Sequence, residues 1–306
     1  MRQKDFRRLW QGAGLFIFSL LCLAVTRNYH TRFSTTLPFV LSWVGIIYVI
    51  DWADHYYLGK SFSEDLAPHV RHRLLRIAAV AIPFGFIIEG YGVYFLRLWY
   101  YPYWSFTIYS IAAPFAFIGY TYILFGLYDF VKNLIHQPHK VGRWHNWQEW
   151  LYGKLMWLEV AVGGYLFIVA TAYEIGQAKS LPIGFFDISK NSGIPVVWWL
   201  PFAISFAIIF IFDFVCFRQH KETLTKDVIR GYFSPILVIL IANIIAVIAI
   251  EFFNGPFRIW RFANWPFENI QILNVPLIAI IVWPLQFFGL LTMLRAAFTQ
   301  KQIKIW

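Results

Sequence analysis

Eight apolar runs divide this chain, near residues 10–27, 35–51, 74–95, 106–131, 151–175, 195–217, 231–253 and 275–296. Each is close to the ~20 residues a helix needs to cross ~30 Å of hydrocarbon. Runs this long and this uniformly apolar are not barrel strands, which are shorter and alternate. In lipid a backbone has no water to bond to and must satisfy itself, which a helix does within one segment. The expectation is an all-α, polytopic integral membrane protein with eight transmembrane helices. Composition agrees: 59% of the 306 residues are hydrophobic and only 14% are charged, too few to coat a soluble domain of this length.

Loop charges give an orientation. With the N-terminus in the cytoplasm, 19 of the 26 Lys and Arg fall on inside segments and seven on outside ones. Every inside segment is then richer than every outside one, which is the positive-inside pattern and predicts that both termini are cytoplasmic. The net charge of +10 therefore reads as topology and not as a nucleic-acid surface. The N-terminal basic cluster and first run imitate a signal peptide, but no small-residue cleavage site follows, so the run reads as an uncleaved first span. The expected location is the bacterial inner (cytoplasmic) membrane, with lipid and other membrane subunits as partners. Cys22 and Cys216 lie inside apolar runs and read as small buried hydrophobes.

One pattern occurs twice: Glu89, Arg97-Leu-Trp99, Trp104, Pro114, and then Glu251, Arg258-Ile-Trp260, Trp265, Pro276. A shift of 162 residues carries Asp51 onto Asp213, Glu89 onto Glu251 and Pro114 onto Pro276; a shift of 161 carries the Arg-x-Trp-x4-Trp segment. The shift covers four spans, an even number, so two four-helix repeats with the same orientation are expected, related by an axis along the membrane normal. Residues 1–134 form the first repeat, 135–150 a cytoplasmic linker and 151–306 the second. Spans one and five match poorly and are expected at the periphery.

Ionisable residues in hydrocarbon are expensive and have a partner or a task. Glu89 and Glu251 close spans three and seven and are the candidate catalytic acids. Arg97, Trp99, Trp104, Arg258, Trp260 and Trp265 follow them on aromatic segments that read as short interfacial re-entries and are the candidate ligand-binding residues. Two readings compete. Either each Arg folds back to form a structural pair with a Glu, or a buried acid works in a pocket whose Trp faces stabilise positive charge. Asp51, Asp54 and His55 share one helical face and are a weak metal candidate. The second copy reads Asp213, Cys216, Phe217, so the bland reading, a solvated helix end, is preferred. Glu159 lies beside Gly163-Gly164 and reads as packing glue. No mid-span His, phosphate-binding Gly loop or hydrolase motif occurs, so no cofactor is expected beyond a bound lipid or carotenoid.

An acid ending one span, a Trp-Tyr stretch, then a Pro opening the next span resembles bacterial polytopic proteins with tandem Trp-rich repeats. More distantly it is similar to the membrane-embedded lycopene cyclases of the heterodimeric or fused type. The likeness rests on Glu89, Trp99-Tyr100, Pro114 and on Glu251, Trp260, Pro276, over about half of the chain. It implies redox-neutral acid chemistry on an isoprenoid or carotenoid. Where that family sets carboxylates just after the Pro, this chain has Phe115-Ala116 and Leu277-Ile278, so common architecture is better supported than common activity. No polar constellation here is complete enough for a reaction. The leading expectation is a non-catalytic membrane subunit of a larger complex that holds lipid or isoprenoid-like molecules. A cyclase-like enzyme and a secondary transporter are the alternatives.

Overall fold

The structure, a computed structural model, describes residues 5–26, 32–59, 61, 70–135, 145–178 and 197–298. Most of the expected linker, from 136 to 144, lies outside them. The helices are α1 (Asp5–Val25), α2 (Arg32–Leu58), α3 (Val70–Glu89), α4 (Phe106–Ile135), α5 (Asn146–Ala178), α6 (Leu200–Arg218), the short α7 (Leu224–Ile229), α8 (Ser234–Phe257) and α9 (Leu277–Ala297). A π-helical turn, Gly90–Phe95, continues α3. Four two-residue strands follow the same order: β1 (Trp99–Tyr100), β2 (Arg261–Phe262), β3 (Gln271–Ile272) and β4 (Val275–Pro276).

Eight of these helices, all but α7, are long and apolar enough to cross a membrane. α8 illustrates why lipid is the solvent. It buries Val238, Ile239, Ala242 and Ala246, yet leaves Leu237, Leu240, Ile244 and Ile248 exposed on its other side. A helix apolar all round has no water-facing side, and in a monomer its outer face must meet hydrocarbon. Some helices overrun their apolar runs with polar ends; α5, for example, begins at Asn146 with Glu149 in its first turn.

The bundle packs in two matching groups. In the N-terminal group α1 packs on α2, α2 on α4, and α3 on α4. In the C-terminal group α5 packs on α6, α6 on α9, and α8 on α9. The groups meet where α4 packs on α8 and α9 on α3. Only 17% of the span window in α1, and the same in α5, is buried, against about half in α4, α6 and α9, so spans one and five are peripheral as expected.

Without a hydrophobic drive between helices in lipid, close packing relies on small residues. Gly12 of α1 and Gly45 of α2 face each other so tightly that a Cβ at Gly45 would stand 2.8 Å from the Gly12 carbonyl oxygen. Gly163 of α5 meets the Ala207 carbonyl of α6 in the same manner, at 3.3 Å.

The aromatic segments depart from the expected re-entries. They form β1 and β2, which pair antiparallel across the two groups with Trp99 opposite Phe262 and Tyr100 opposite Arg261. The Ala263 N–H donates to the Leu98 carbonyl at 2.9 Å and the Asn264 amide to the Arg97 carbonyl at 3.2 Å, extending the seam. The two short segments thus satisfy part of their backbone by pairing with each other. The two prolines also differ in role. α4 already begins at Phe106, so Pro114 lies inside it, whereas Pro276 directly precedes α9. The residues before Pro276 instead form the β3–β4 hairpin, whose two-residue turn holds Leu273 and Asn274 at φ of 54° and 65°. Both central residues of such a turn need positive φ to match strand twist.

Gly45→Val should separate α1 from α2 and cost about 1–3 kcal/mol, the usual range for overpacking. Gly14→Ala, whose Cβ would meet nothing within 4 Å, should be neutral. Heating in detergent followed by size-exclusion chromatography measures both.

Candidate functional site

The site grows out of how spans three and seven end. After the π-helical turn, Arg97 adopts φ 55°, and after α8, Arg258 adopts φ 51°. Each left-handed residue turns the chain back over the helix it has just left, which brings the following Trp onto that helix. In the first copy Trp99 lies flat on Gly92, where an added Cβ would stand 1.8 Å from the indole ring. Its Nε1–H donates to Glu89 at 3.2 Å. The Tyr101 and Tyr109 hydroxyls donate to the same carboxylate at 2.9 and 3.1 Å. In the second copy the Trp260 Nε1–H donates to Glu251 at 3.1 Å. Asn254 gives Glu251 a second bond at 3.0 Å and fixes the Trp260 backbone, accepting from its N–H and donating to its carbonyl. The Glu–indole bond is common to both copies; phenols complete it in one and an amide in the other.

The expected partner of these acids is therefore corrected. Indole, phenol and amide donors meet Glu89 and Glu251, not the guanidinium of Arg97 or Arg258. Arg97 is buried, whereas Arg258 is exposed. Neutral aromatic donors carry their own apolar body into the bilayer and avoid desolvating a second charge, which favours them over Arg beside a buried acid.

Behind this layer lies a cavity of about 150 Å³ between the two groups. Of the residues singled out from the sequence, Glu89, Trp99, Trp260 and Trp265 line it; Trp104, Glu251 and the two arginines do not. Trp99 and Trp265 stack across the groups with centroids 6.5 Å apart and planes 18° apart. Trp104 instead stacks on Tyr101 at 5.0 Å and meets Phe39 edge-on. Trp104 and Trp265 are both buried, and neither indole N–H has a hydrogen-bond partner among the described residues. Thr121 and Tyr120 of α4 and Gln286 of α9 add two hydroxyls and an amide to a largely apolar wall. Gln286 sits nine residues past Leu277, roughly 14 Å along the helix and near its middle. A second, wholly apolar groove of about 580 Å³ runs between α1, α2, α4 and the opposite face of α8.

Several of these residues were missed in the sequence. Asn254 had a signal, since it follows Glu251 by three positions on one helical face. Gln286 had another, as a lone amide in an apolar run. Tyr101 and Tyr109 had none, because a belt tyrosine and a carboxylate donor look alike in a sequence.

At the opposite end of the bundle the two aspartates part ways. Asp51 accepts from the Tyr122 hydroxyl at 3.3 Å. Asp213 accepts the Leu224 and Thr225 N–H groups at 2.9 and 3.0 Å, so the start of α7 compensates its charge. Glu159 receives the Thr225 hydroxyl and so ties α5 to α7. Among the described residues no group of three His, Cys, Asp or Glu is placed to hold a metal, so Asp51, Asp54 and His55 form no such site. Asp54 is fully buried, which overturns its reading as part of a solvated helix end. Burial pushes the Asp227 carboxyl of α7 up from its ordinary 3.8 to about 6, and the Arg295 guanidinium, 3.5 Å away, pulls it back only in part.

No protein-family model, no curated protein and no solved structure matches the chain. The site is therefore tested on its own chemistry. Trp260→Phe leaves the buried Glu251 one donor short and should cost about 1–3 kcal/mol of stability. Trp104→Phe, which removes no bond, should cost less, and thermal inactivation of the two variants separates them. Because the folded Asp227 keeps its proton to higher pH than the unfolded one, the stability it contributes is complete below 3.8 and is lost as pH rises through about 6. The melting midpoint should fall over that window, and Asp227→Asn should flatten that fall.

Proposed function

We propose that this chain is a non-catalytic integral membrane subunit of a larger membrane complex, built from two like-oriented four-helix halves that hold an isoprenoid-like lipid between them. Duplication is supported by the packing. α1, α2, α3 and α4 correspond to α5, α6, α8 and α9, and the three packing contacts among the long helices of one group each have a counterpart in the other, as α4 on α8 has in α9 on α3. In β1–β2, Tyr100 faces Arg261, its own equivalent at a shift of 161, which is what a local two-fold axis through the seam requires. Spans one and five also correspond once the shift is reduced to 151, which carries Gly12 onto Gly163 and Leu15-Phe16-Ile17 onto Leu166-Phe167-Ile168. Their poor match at 162 follows from a longer connection between α5 and α6 than between α1 and α2.

The observation that carries the binding role is the membership of the cavity wall. It contains both partners of five repeat-related pairs, Gly85/Val247, Ile88/Ile250, Trp99/Trp260, Tyr101/Phe262 and Thr121/Trp283. A cavity on the axis between halves is the usual seat of a ligand in duplicated membrane proteins. At about 150 Å³ it is smaller than the ~300–1,000 Å³ of sites that enclose a drug-sized molecule, so it takes the head or end of a chain. The non-catalytic reading follows from Glu89 and Glu251, whose hydrogen bonds hold the outer layer together. The subunit reading draws on the β3–β4 region, where Phe267, Ile270, Ile272 and Leu273 stand exposed beyond the helices. The charge distribution and the even span count support cytoplasmic termini.

The cyclase-like alternative has one observation in its favour: Glu89 borders the cavity beside Trp99 and Trp265. Its three donors argue for anchorage over proton delivery.

Lipid extraction of protein purified in nanodiscs, followed by mass spectrometry, tests the reading. An isoprenoid-like species should be enriched over the bulk membrane, and Ala116→Phe, which fills the cavity, should reduce it at least fivefold. A lipid content equal to bulk in both proteins would sink the proposal, and conversion of an added polyene abolished by Glu89→Gln would favour the enzyme.

A further inference from the structure

The polar groups of the cavity narrow what it holds; this step rests on the binding role proposed above and names the chemical class of the ligand. Hydrogen-bonding capacity at the aromatic end is nearly used up. Trp99 commits its N–H to Glu89, Trp260 commits its own to Glu251, and Glu89 already accepts from three donors. Trp265 is the exception among the buried indoles there; Trp43, Trp283 and the Tyr120 hydroxyl, which also line the cavity, are further donors with no hydrogen bond among the described residues. Trp265 is 4% exposed, its indole forms part of the cavity wall, and its Nε1–H has no partner among the described residues. A buried donor in hydrocarbon has no water to turn to and is costly until an acceptor arrives. Its repeat equivalent Trp104 is also unpaired but is packed on Tyr101 and is not part of the wall, so only one of the two borders the cavity.

Charge restricts the ligand from the other side. Among the described lining residues there is no Lys, Arg or His, and the one ionisable acid is Glu89. A phosphate or carboxylate head would enter a low-dielectric space with no cation to offset it. A hydrocarbon without heteroatoms would fit the walls but leave Trp265 unmet. Thr121 and Gln286, near mid-membrane, give a polar head further partners.

We infer that the cavity binds an uncharged isoprenoid-like molecule with an oxygen acceptor at its head, a carbonyl or hydroxyl, which receives the Trp265 Nε1–H. The head lies against the stacked Trp99–Trp265 pair and the chain leaves toward lipid. Polyprenyl phosphates and bare polyenes are poor ligands for the same site.

Binding to the purified protein in nanodiscs tests this with four probes: geranylgeraniol, a decyl-substituted benzoquinone, geranylgeranyl phosphate and squalene. The alcohol or the quinone should bind at least tenfold more tightly than the phosphate and squalene. Trp265→Phe should weaken the preferred probe about five- to tenfold, the worth of one neutral hydrogen bond. Trp104→Phe should leave it unchanged. Squalene or the phosphate binding as tightly as the alcohol and quinone, with Ala116→Phe abolishing it, would overturn the inference and leave the binding role standing. If no probe binds, both fall. The ranking is read on the unaltered protein, so it decides the matter even if Trp265→Phe fails to fold.

Discussion

The carboxylate of a span-ending Glu and the indole N–H of the Trp that follows it form the interaction on which the aromatic end is built. Glu89–Trp99 and Glu251–Trp260 each fold the chain back onto its own helix. Without that bond the buried Glu251 would keep one donor, from Asn254, and the half-buried Glu89 its two phenols, and each Trp would lose its tie to the helix before it. With it, β1 and β2 are held in the register that stitches the two helix groups together. Neutral donors suit this place because they add no second charge for the bilayer to desolvate.

From this seam the rest of the end follows. The left-handed Arg97 and Arg258 set the turn, Gly92 gives Trp99 its bed, and Phe39 meets both Trp104 and Trp260 edge-on. The space left under the strands is the cavity. The two copies are not equal there: Glu89 and Trp265 line it, Glu251 and Trp104 do not.

At the other end the contrast is similar. Asp213 is held by the first N–H groups of α7, and Glu159 by the Thr225 hydroxyl. The acids at both ends serve to fasten short connecting segments to long helices. Since hydrophobic burial distinguishes little between one helix contact and another in lipid, polar fastenings and glycine contacts such as Gly12–Gly45 select the packing.

Length and apolarity of the runs, read alone, determine eight spanning helices, because hydrocarbon permits few other backbones. The doubled Glu, Arg-x-Trp and Trp also mark which residues cluster at the aromatic end, since an acid in lipid needs neighbours. Which neighbours it takes was not legible. An Arg and a Trp at similar distances in sequence both qualify as donors for Glu89, and the choice of indole depends on the backbone turn at Arg97. That Trp265 borders the cavity while Trp104 packs on Tyr101 is likewise a tertiary outcome, as is the pairing of β1 with β2. These rest on contacts between segments some 160 residues apart, where local pattern carries no information and only the packing of α4 on α8 and α9 on α3 brings the chemistry together.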